Sequence, residues 1–127
     1  MSNFLQAPAV LGKAKSSYSL WFQSLADFPK IYRNNLGGKI EGYFLSVLEN
    51  IFVSAYLSGE KKAAQLSIAI LKLDNLKFFL QLAWENKCLS NEKYIEISTS
   101  LDEIGRMLGG WKKGLENKTP ASRTREI

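Results

Sequence analysis

Residues 94–115 read YIEISTSLDEIGRMLGGWKKGL. Apolar side chains recur in this stretch at alternating spacings of three and four residues, which is the period of one face of an α-helix. The stripe consists of Tyr94, Ile97, Leu101, Ile104, Leu108, Trp111 and Leu115. Because the pattern extends over about three heptads, it predicts a long helix whose a and d positions face other helices. We expect this helix to begin near Ser90 or Asn91 and to end near Leu115.

Two earlier segments repeat the helical period. One helix is predicted from Lys39 to Leu57, and a longer one from Lys61 to Asn86. Apolar side chains occupy more than one face of the longer segment, namely Leu66, Ile68, Leu71, Leu73, Leu76, Phe78, Leu80 and Trp84. A helix that is apolar nearly all round either lies at the centre of its own bundle or also packs against another subunit. The sequence leaves both alternatives open and gives a hint of oligomerisation.

The first helix is predicted from its capping residues and its terminator. Ser16 and Ser17 are suitable N-caps. Pro29 ends or kinks the helix, because proline lacks a backbone N–H and disfavours helical geometry at the residue before it. The run NNLGG at residues 34–38 has turn chemistry and predicts a second break.

Four long helices with short connections predict an all-α fold, an antiparallel up-down-up-down four-helix bundle. The chain of 127 residues has the size of one domain. We expect residues 16–115 to form the bundle, residues 1–15 to be a loose leader, and residues 116–127 to be a disordered basic tail.

Composition excludes several classes of enzyme. The sequence contains no histidine and a single cysteine, Cys88, so neither a Ser-His-Asp triad nor a Cys/His zinc site can form within one chain. No set of residues for a metal or a cofactor is evident either, so we expect no catalytic residues of these classes, no metal and no cofactor. The lone thiol fits a reducing compartment, and no targeting or membrane-spanning segment is evident. These features predict a cytoplasmic protein that has no membrane partner.

Positive charge is concentrated at the two ends of the chain. The net charge is +5, which divides into +4 for residues 1–40, −3 for residues 41–105 and +4 for residues 106–127. Such a balance favours nucleic acid as a partner, although a solubilised surface with basic tails explains it as well. An up-down-up-down topology would gather one basic cluster at one end of the bundle, made of Lys13, Lys15, Lys61, Lys62, Lys112 and Lys113. We predict that this cluster binds anions.

Other residues stand out along the two later helices. Lys72 and Lys77 interrupt the most apolar segment. Each either forms an ion pair with a nearby carboxylate or places its charge at a surface that contacts a partner. The pair Gly109-Gly110 lies inside a predicted helix, where each glycine costs about 1 kcal/mol relative to alanine. We expect the pair to permit close packing of another helix or subunit.

Two runs of sequence resemble a known family. They are LDNLKFFLQLA at residues 73–83 and LDEIGRMLGGW at residues 101–111, and the segment IGRMLGGW at residues 104–111 is the most specific. Both resemble the accessory variability determinant (Avd) proteins of diversity-generating retroelements, within a wider four-helix-bundle family that includes proteins encoded in intervening sequences of ribosomal RNA genes. The Phe-Pro-Lys run at residues 28–30 and Leu36-Gly37 resemble that family's junction between its first two helices. The resemblance covers about residues 17–115.

The resemblance implies a function and an assembly. Avd proteins are non-enzymatic and assemble as ring-like pentamers. They bind a reverse transcriptase as well as RNA or DNA without reading its sequence, and they support mutagenic reverse transcription. By position, the resemblance adds Lys77 and Arg106 to the expected binding residues, whereas Gln81 is neutral where relatives are often basic. The full set of expected reverse-transcriptase or nucleic-acid contacts is Lys13, Lys15, Lys61, Lys62, Lys72, Lys77, Arg106, Lys112 and Lys113.

Two other hypotheses remain open at this point. The chain could be a stand-alone RNA-binding bundle of the intervening-sequence type, without a polymerase partner. It could also be a purely structural oligomeric module whose charge keeps it in solution. Binding that weakens as salt rises would separate both nucleic-acid hypotheses from the structural one.

Overall fold

A computed structural model describes residues 2–117 of the chain, with side chains described for residues 9–116. All the regular structure in this part of the chain is helical, in five helices. These are α1 (Ser2–Ser24), α2 (Lys30–Arg33), α3 (Leu36–Ser54), α4 (Gly59–Glu85) and α5 (Asn91–Asn117). None of the helices in residues 2–117 is long and apolar enough to cross a membrane.

The four long helices form a closed cycle of packing neighbours. Helix α1 packs against α3, α3 against α4, α4 against α5, and α5 against α1, while the short α2 packs on α3. Each long helix thus has two neighbours and turns its apolar side toward a shared interior. The chain is a helical bundle, as the sequence pattern predicted.

The stripe on α5 supplies much of the core. Ile97, Leu101, Ile104, Leu108 and Trp111 are all buried. Helix α4 meets them with a buried face of its own, which consists of Leu66, Ala69, Leu73, Leu76, Leu80 and Ala83. The predicted bounds of both helices lie within about two residues of the observed ones, which is the ordinary uncertainty of helix ends.

The first helix begins far earlier than the sequence pattern suggested. Helix α1 includes most of the predicted leader, and Val10 and Ala14 are buried in the core. Ser16 and Ser17 do not cap the helix, because their hydroxyls donate to the carbonyls four residues earlier. The expectation of a loose leader is therefore wrong for residues 10–15. The tail expected from Glu116 lies, from residue 118 onward, outside the described residues.

The junction between α1 and α3 is a compact hydrogen-bonded corner. Helix α1 ends at Ser24, five residues before Pro29, and Pro29 precedes the short α2. Arg33 donates to the carbonyl oxygens of Leu25 and Phe28 over 3.1 and 3.0 Å, which ties α2 to the turn that follows α1. The Asn35 side chain then caps α3 by accepting from the Leu36 N–H. The predicted break at residues 34–38 is thus correct only for its first two residues.

A polar contact fixes α1 against α3. Glu41 is half-buried, and its carboxylate accepts from the Tyr18 hydroxyl and from Trp21 Nε1, the latter over 2.8 Å. Bonding to this carboxylate, together with burial and its negative charge, raises the pKa of Tyr18 to about 12. The charge of Glu41 is therefore used inside the bundle and is not available on its outer surface.

Leu101→Ala should lower the free energy of unfolding by about 2–5 kcal/mol, because Leu101 is fully buried and truncation leaves a cavity. Ile95→Ala is the matched control on the same helix, since Ile95 is 60% exposed and should change stability by less than about 0.5 kcal/mol. Chemical denaturation measures both. A loss below about 1 kcal/mol for Leu101→Ala would contradict the observed register of α5.

Candidate functional site

The structure divides the expected binding residues into those that contact a partner within the chain and those that do not. Lys13 Nζ on α1 lies 2.8 Å from a carboxylate oxygen of Glu103 on α5. Lys77 Nζ on α4 lies 3.1 Å from Asp102 on the same helix α5. Lys13, and to a smaller extent Arg106, hold the pKa of Glu103 below its usual value. Lys13 and Lys77 therefore connect helices, and their charge is largely neutralised by these partners.

Lys62 is a packing residue. Its side chain is only 5% exposed, and Nζ lies 5.3 Å from the centroid of the Trp111 ring. Burial lowers the pKa of Lys62, because the charged form is poorly solvated there. The contact is a cation–π interaction that holds the start of α4 against the end of α5. Lys62 offers little charge to a ligand in solution.

The neighbours of Lys62 and Trp111 form an outward-facing group of cations. Lys61 and Lys113 are exposed and Lys112 is half-buried. Because Lys62 contacts Trp111, these three lysines, which we call the terminal cluster, share one end of the bundle. Within residues 9–116 none of them pairs with a carboxylate. Lys15 is also exposed and unpaired in this part of the chain, but it lies on α1.

The outer face of α5 is unusually open. Arg106 is exposed, and a Cβ added to Gly109 or Gly110 would meet nothing within 4 Å. The glycine pair therefore does not serve close packing within the chain, and that part of the prediction is wrong. Gly105 is the closely packed glycine of this helix, because its added Cβ would lie 3.4 Å from Lys77 Nζ.

Lys72 projects toward α3. Its Nζ lies 5.9 Å from the centroid of the Tyr43 ring, and it forms no ion pair with a described carboxylate. Lys39 on α3 lies 5.5 Å from the same ring. These two lysines are far apart in the chain, so the sequence alone does not connect them. The spacing of Lys39 and Tyr43, four residues apart on one helix face, is the signal that could have drawn attention to α3.

Apolar side chains remain exposed on the side of α4 opposite the core. Ile68, Leu71 and Phe78 are 43%, 57% and 60% exposed. On α3 the side chains of Leu45 and Phe52 are about half exposed, and Tyr56 just beyond that helix is more so. Apolar surface of this kind is typical of an interaction site. The predicted two-sided character of the longer helix is confirmed, since one apolar face is buried and another is not.

Comparison with known proteins adds two findings. The sequence profile of a family described as bAvd-like matches residues 11–115. A crystal structure of a protein of unknown function from the S23 ribosomal protein family of Bacteroides thetaiotaomicron has a TM-score of 0.72 to this chain. Its sequence identity is 17%, and the match covers 85% of this chain and 98% of that one, so the likeness shows a shared fold. No curated protein matches the sequence significantly.

Amine-reactive labelling followed by mass spectrometry should modify Lys61 and Lys113 quickly and Lys62 slowly. The reason is that Lys62 is buried against Trp111, whereas Lys61, its neighbour in sequence, is exposed. Trp111→Ala should accelerate labelling of Lys62 and leave Lys61 unchanged. Equal rates for Lys61 and Lys62 in the unmodified protein would contradict the placement of Lys62.

Proposed function

Because this chain belongs to the bAvd-like family, we propose that it is an accessory variability determinant protein of a diversity-generating retroelement. In this role it is not an enzyme. It binds the retroelement's reverse transcriptase and nucleic acid, and it supports mutagenic reverse transcription. The family match over residues 11–115 carries the proposal, and it confirms the resemblance seen in the segment at residues 104–111.

The proposed nucleic-acid contacts are fewer than the sequence alone suggested. Lys13 and Lys77 are paired with carboxylates at the surface, and Lys62 is buried against Trp111, so we propose that these three lysines support the fold. The remaining contacts are Lys15, Lys61, Lys72, Arg106, Lys112 and Lys113. Lysine and arginine bind phosphates by displacing condensed counterions, which gives affinity that falls with salt and does not depend on base sequence.

We further propose that the long helices alternate in direction. The pairing of residue numbers supports this arrangement. Lys13 contacts Glu103 while the later Ser17 contacts the earlier Ser100, so numbers rise on α1 as they fall on α5. Contacts between α3 and α4 follow the same rule: Tyr43 stacks on Phe79, and the side chains of residues 50 and 65 share a hydrogen bond.

The proposed assembly is a ring-like homopentamer. The exposed apolar side chains of α4 and α3 support it, because surface of this kind is stabilised when another subunit covers it. At +5 per chain, a pentamer would carry a charge of about +25, which is enough to attract nucleic acid at a distance. The partner is tested by co-purification with the reverse transcriptase encoded beside the gene. A chain that binds RNA but has no such partner would instead be a stand-alone RNA-binding bundle.

Lys112→Glu combined with Lys113→Glu should weaken binding to single-stranded RNA and DNA at low salt and leave the melting temperature unchanged. The two lysines lie at the end of α5 and have no carboxylate partner within residues 9–116. Lys30→Glu with Lys87→Glu makes the same change in charge at exposed positions outside the terminal cluster. Fluorescence anisotropy measures the binding. If both double variants lose affinity equally, the terminal cluster is not a site.

Light scattering of the purified protein should give a mass near five protomers. Leu71→Glu with Phe78→Glu should lower that mass, because it places charge on apolar side chains that are more than half exposed in the single chain. Ile95→Glu makes the same kind of change on α5, where Ile95 is 60% exposed, and should leave the mass unchanged. A monomeric wild-type protein would overturn the ring, and a smaller mass only for Ile95→Glu would move the interface to α5.

A further inference from the structure

A groove runs between α3 and α4, away from the terminal cluster. It has a volume of about 320 Å³ and is lined by Gly38, Lys39, Gly42, Tyr43, Ser46 and Lys72. Two of its lining residues are glycines, and a Cβ added to either would meet nothing within 4 Å. The α3 backbone is therefore open at these two glycines.

Two cations flank one aromatic ring in the groove. Lys39 Nζ lies 5.5 Å and Lys72 Nζ lies 5.9 Å from the centroid of Tyr43, and the two lysines come from different helices. The Tyr43 ring stacks on Phe79, with centroids 5.6 Å apart, and Lys39 also lies 5.8 Å from that second ring. Both ammonium groups therefore lie near the Tyr43 ring.

Neither ammonium group forms an ion pair with a carboxylate in the described part of the chain. Lys13, Lys77 and Lys93 are paired with carboxylates in residues 9–116, whereas Lys39 and Lys72 are not. The nearest carboxylate along α3, that of Glu41, is bonded to Tyr18 and Trp21 on the opposite side of the helix. The Tyr43 hydroxyl has no hydrogen-bond partner among the described residues and can donate to an acceptor in the groove.

We propose that this groove is a binding site for the phosphodiester backbone of single-stranded nucleic acid. Lys39 and Lys72 contact phosphate oxygens, and the Tyr43 hydroxyl donates a third hydrogen bond. The inference rests on the proposed function. It locates a nucleic-acid contact on α3, a helix that has none of the binding residues expected from the sequence.

The shape and chemistry of the groove favour a single strand over a duplex. A flexible backbone can follow a shallow groove beside one helix, whereas the paired phosphate rows of a duplex are held apart on a rigid cylinder. All three groups recognise phosphate and none is placed to read a base edge, so binding should not depend on base sequence. Positively charged grooves with aromatic side chains are typical of proteins that bind single strands in this manner.

The test uses the full chain with labelled oligouridine, oligothymidine and a duplex of the same length. Anisotropy is measured from about 50 to 200 mM salt. Lys39→Gln with Lys72→Gln removes both cations, and Lys30→Gln with Lys87→Gln is the control of equal charge at exposed positions outside the groove lining. Gly42→Leu fills the groove without altering charge, and it replaces a helix glycine at an open position, so the fold should hold. Light scattering confirms that each variant keeps the wild-type mass.

The Lys39→Gln, Lys72→Gln variant should bind single strands several-fold more weakly than the control does. Its slope of log affinity against log salt should fall by about 0.7 for each lysine removed. Gly42→Leu should also weaken binding, although the net charge is unchanged. If the wild type prefers oligouridine and these variants lose the preference, the groove binds RNA. If the preference is for oligothymidine, the groove binds DNA.

Two results would overturn the inference while the proposed function stands. One is a wild-type protein that binds nucleic acid while the groove variants behave like the control. The other is that the groove variants weaken binding of the duplex as strongly as they weaken binding of the single strands. A wild-type protein that binds none of the oligonucleotides at low salt would instead overturn the proposed function itself.

Discussion

The burial of the α5 stripe is the constraint on which the rest of the structure depends. Leu101, Ile104 and Leu108 have almost no exposed surface, and α5 packs against both α1 and α4. Burying apolar side chains of this size contributes about 1.5–3 kcal/mol each. Around this apolar contact the helices add polar ones: Lys13 pairs with Glu103, and Lys77 pairs with Asp102. Helix α5 is thus held on two sides. The rotation of α1 and of α4 about their own axes then decides which of their lysines lie beside α5.

That rotation separates lysines that are chemically identical. Lys61 and Lys62 are adjacent in the chain, yet one step around a helix places the first in solvent and the second against Trp111. Ion pairs near the surface contribute little to stability, but they do neutralise charge. The bundle therefore offers fewer unpaired cations than its 17 lysine and arginine residues imply, although the pairing leaves the net charge at +5. For a protein proposed to bind phosphates, the placement of its cations decides more than their number does.

The core is complete without several large apolar side chains. Ile68, Leu71 and Phe78 point away from it on α4, and the glycine pair of α5 lies open on another face. A bundle that needed only to fold would not need apolar side chains at these positions. Together with membership in the bAvd-like family, these faces agree with a protein that works by contacting other chains. The shallow groove between α3 and α4 adds a third kind of surface, which carries two lysines beside an aromatic ring.

By itself the sequence determined the fold class, the three later helices and the family. It could do so because helical periodicity is local: the spacing of apolar residues along 94–115 states which face will be buried, whatever that face meets. It misplaced the start of α1, because two serines that looked like caps are bonded back into the helix and the burial of Val10 and Ala14 depends on distant contacts. Only the tertiary structure decided which lysines are paired, which is buried, and that Lys39 and Lys72 meet at Tyr43. Those outcomes depend on the register and rotation of one helix against another, and no spacing within a single helix records them.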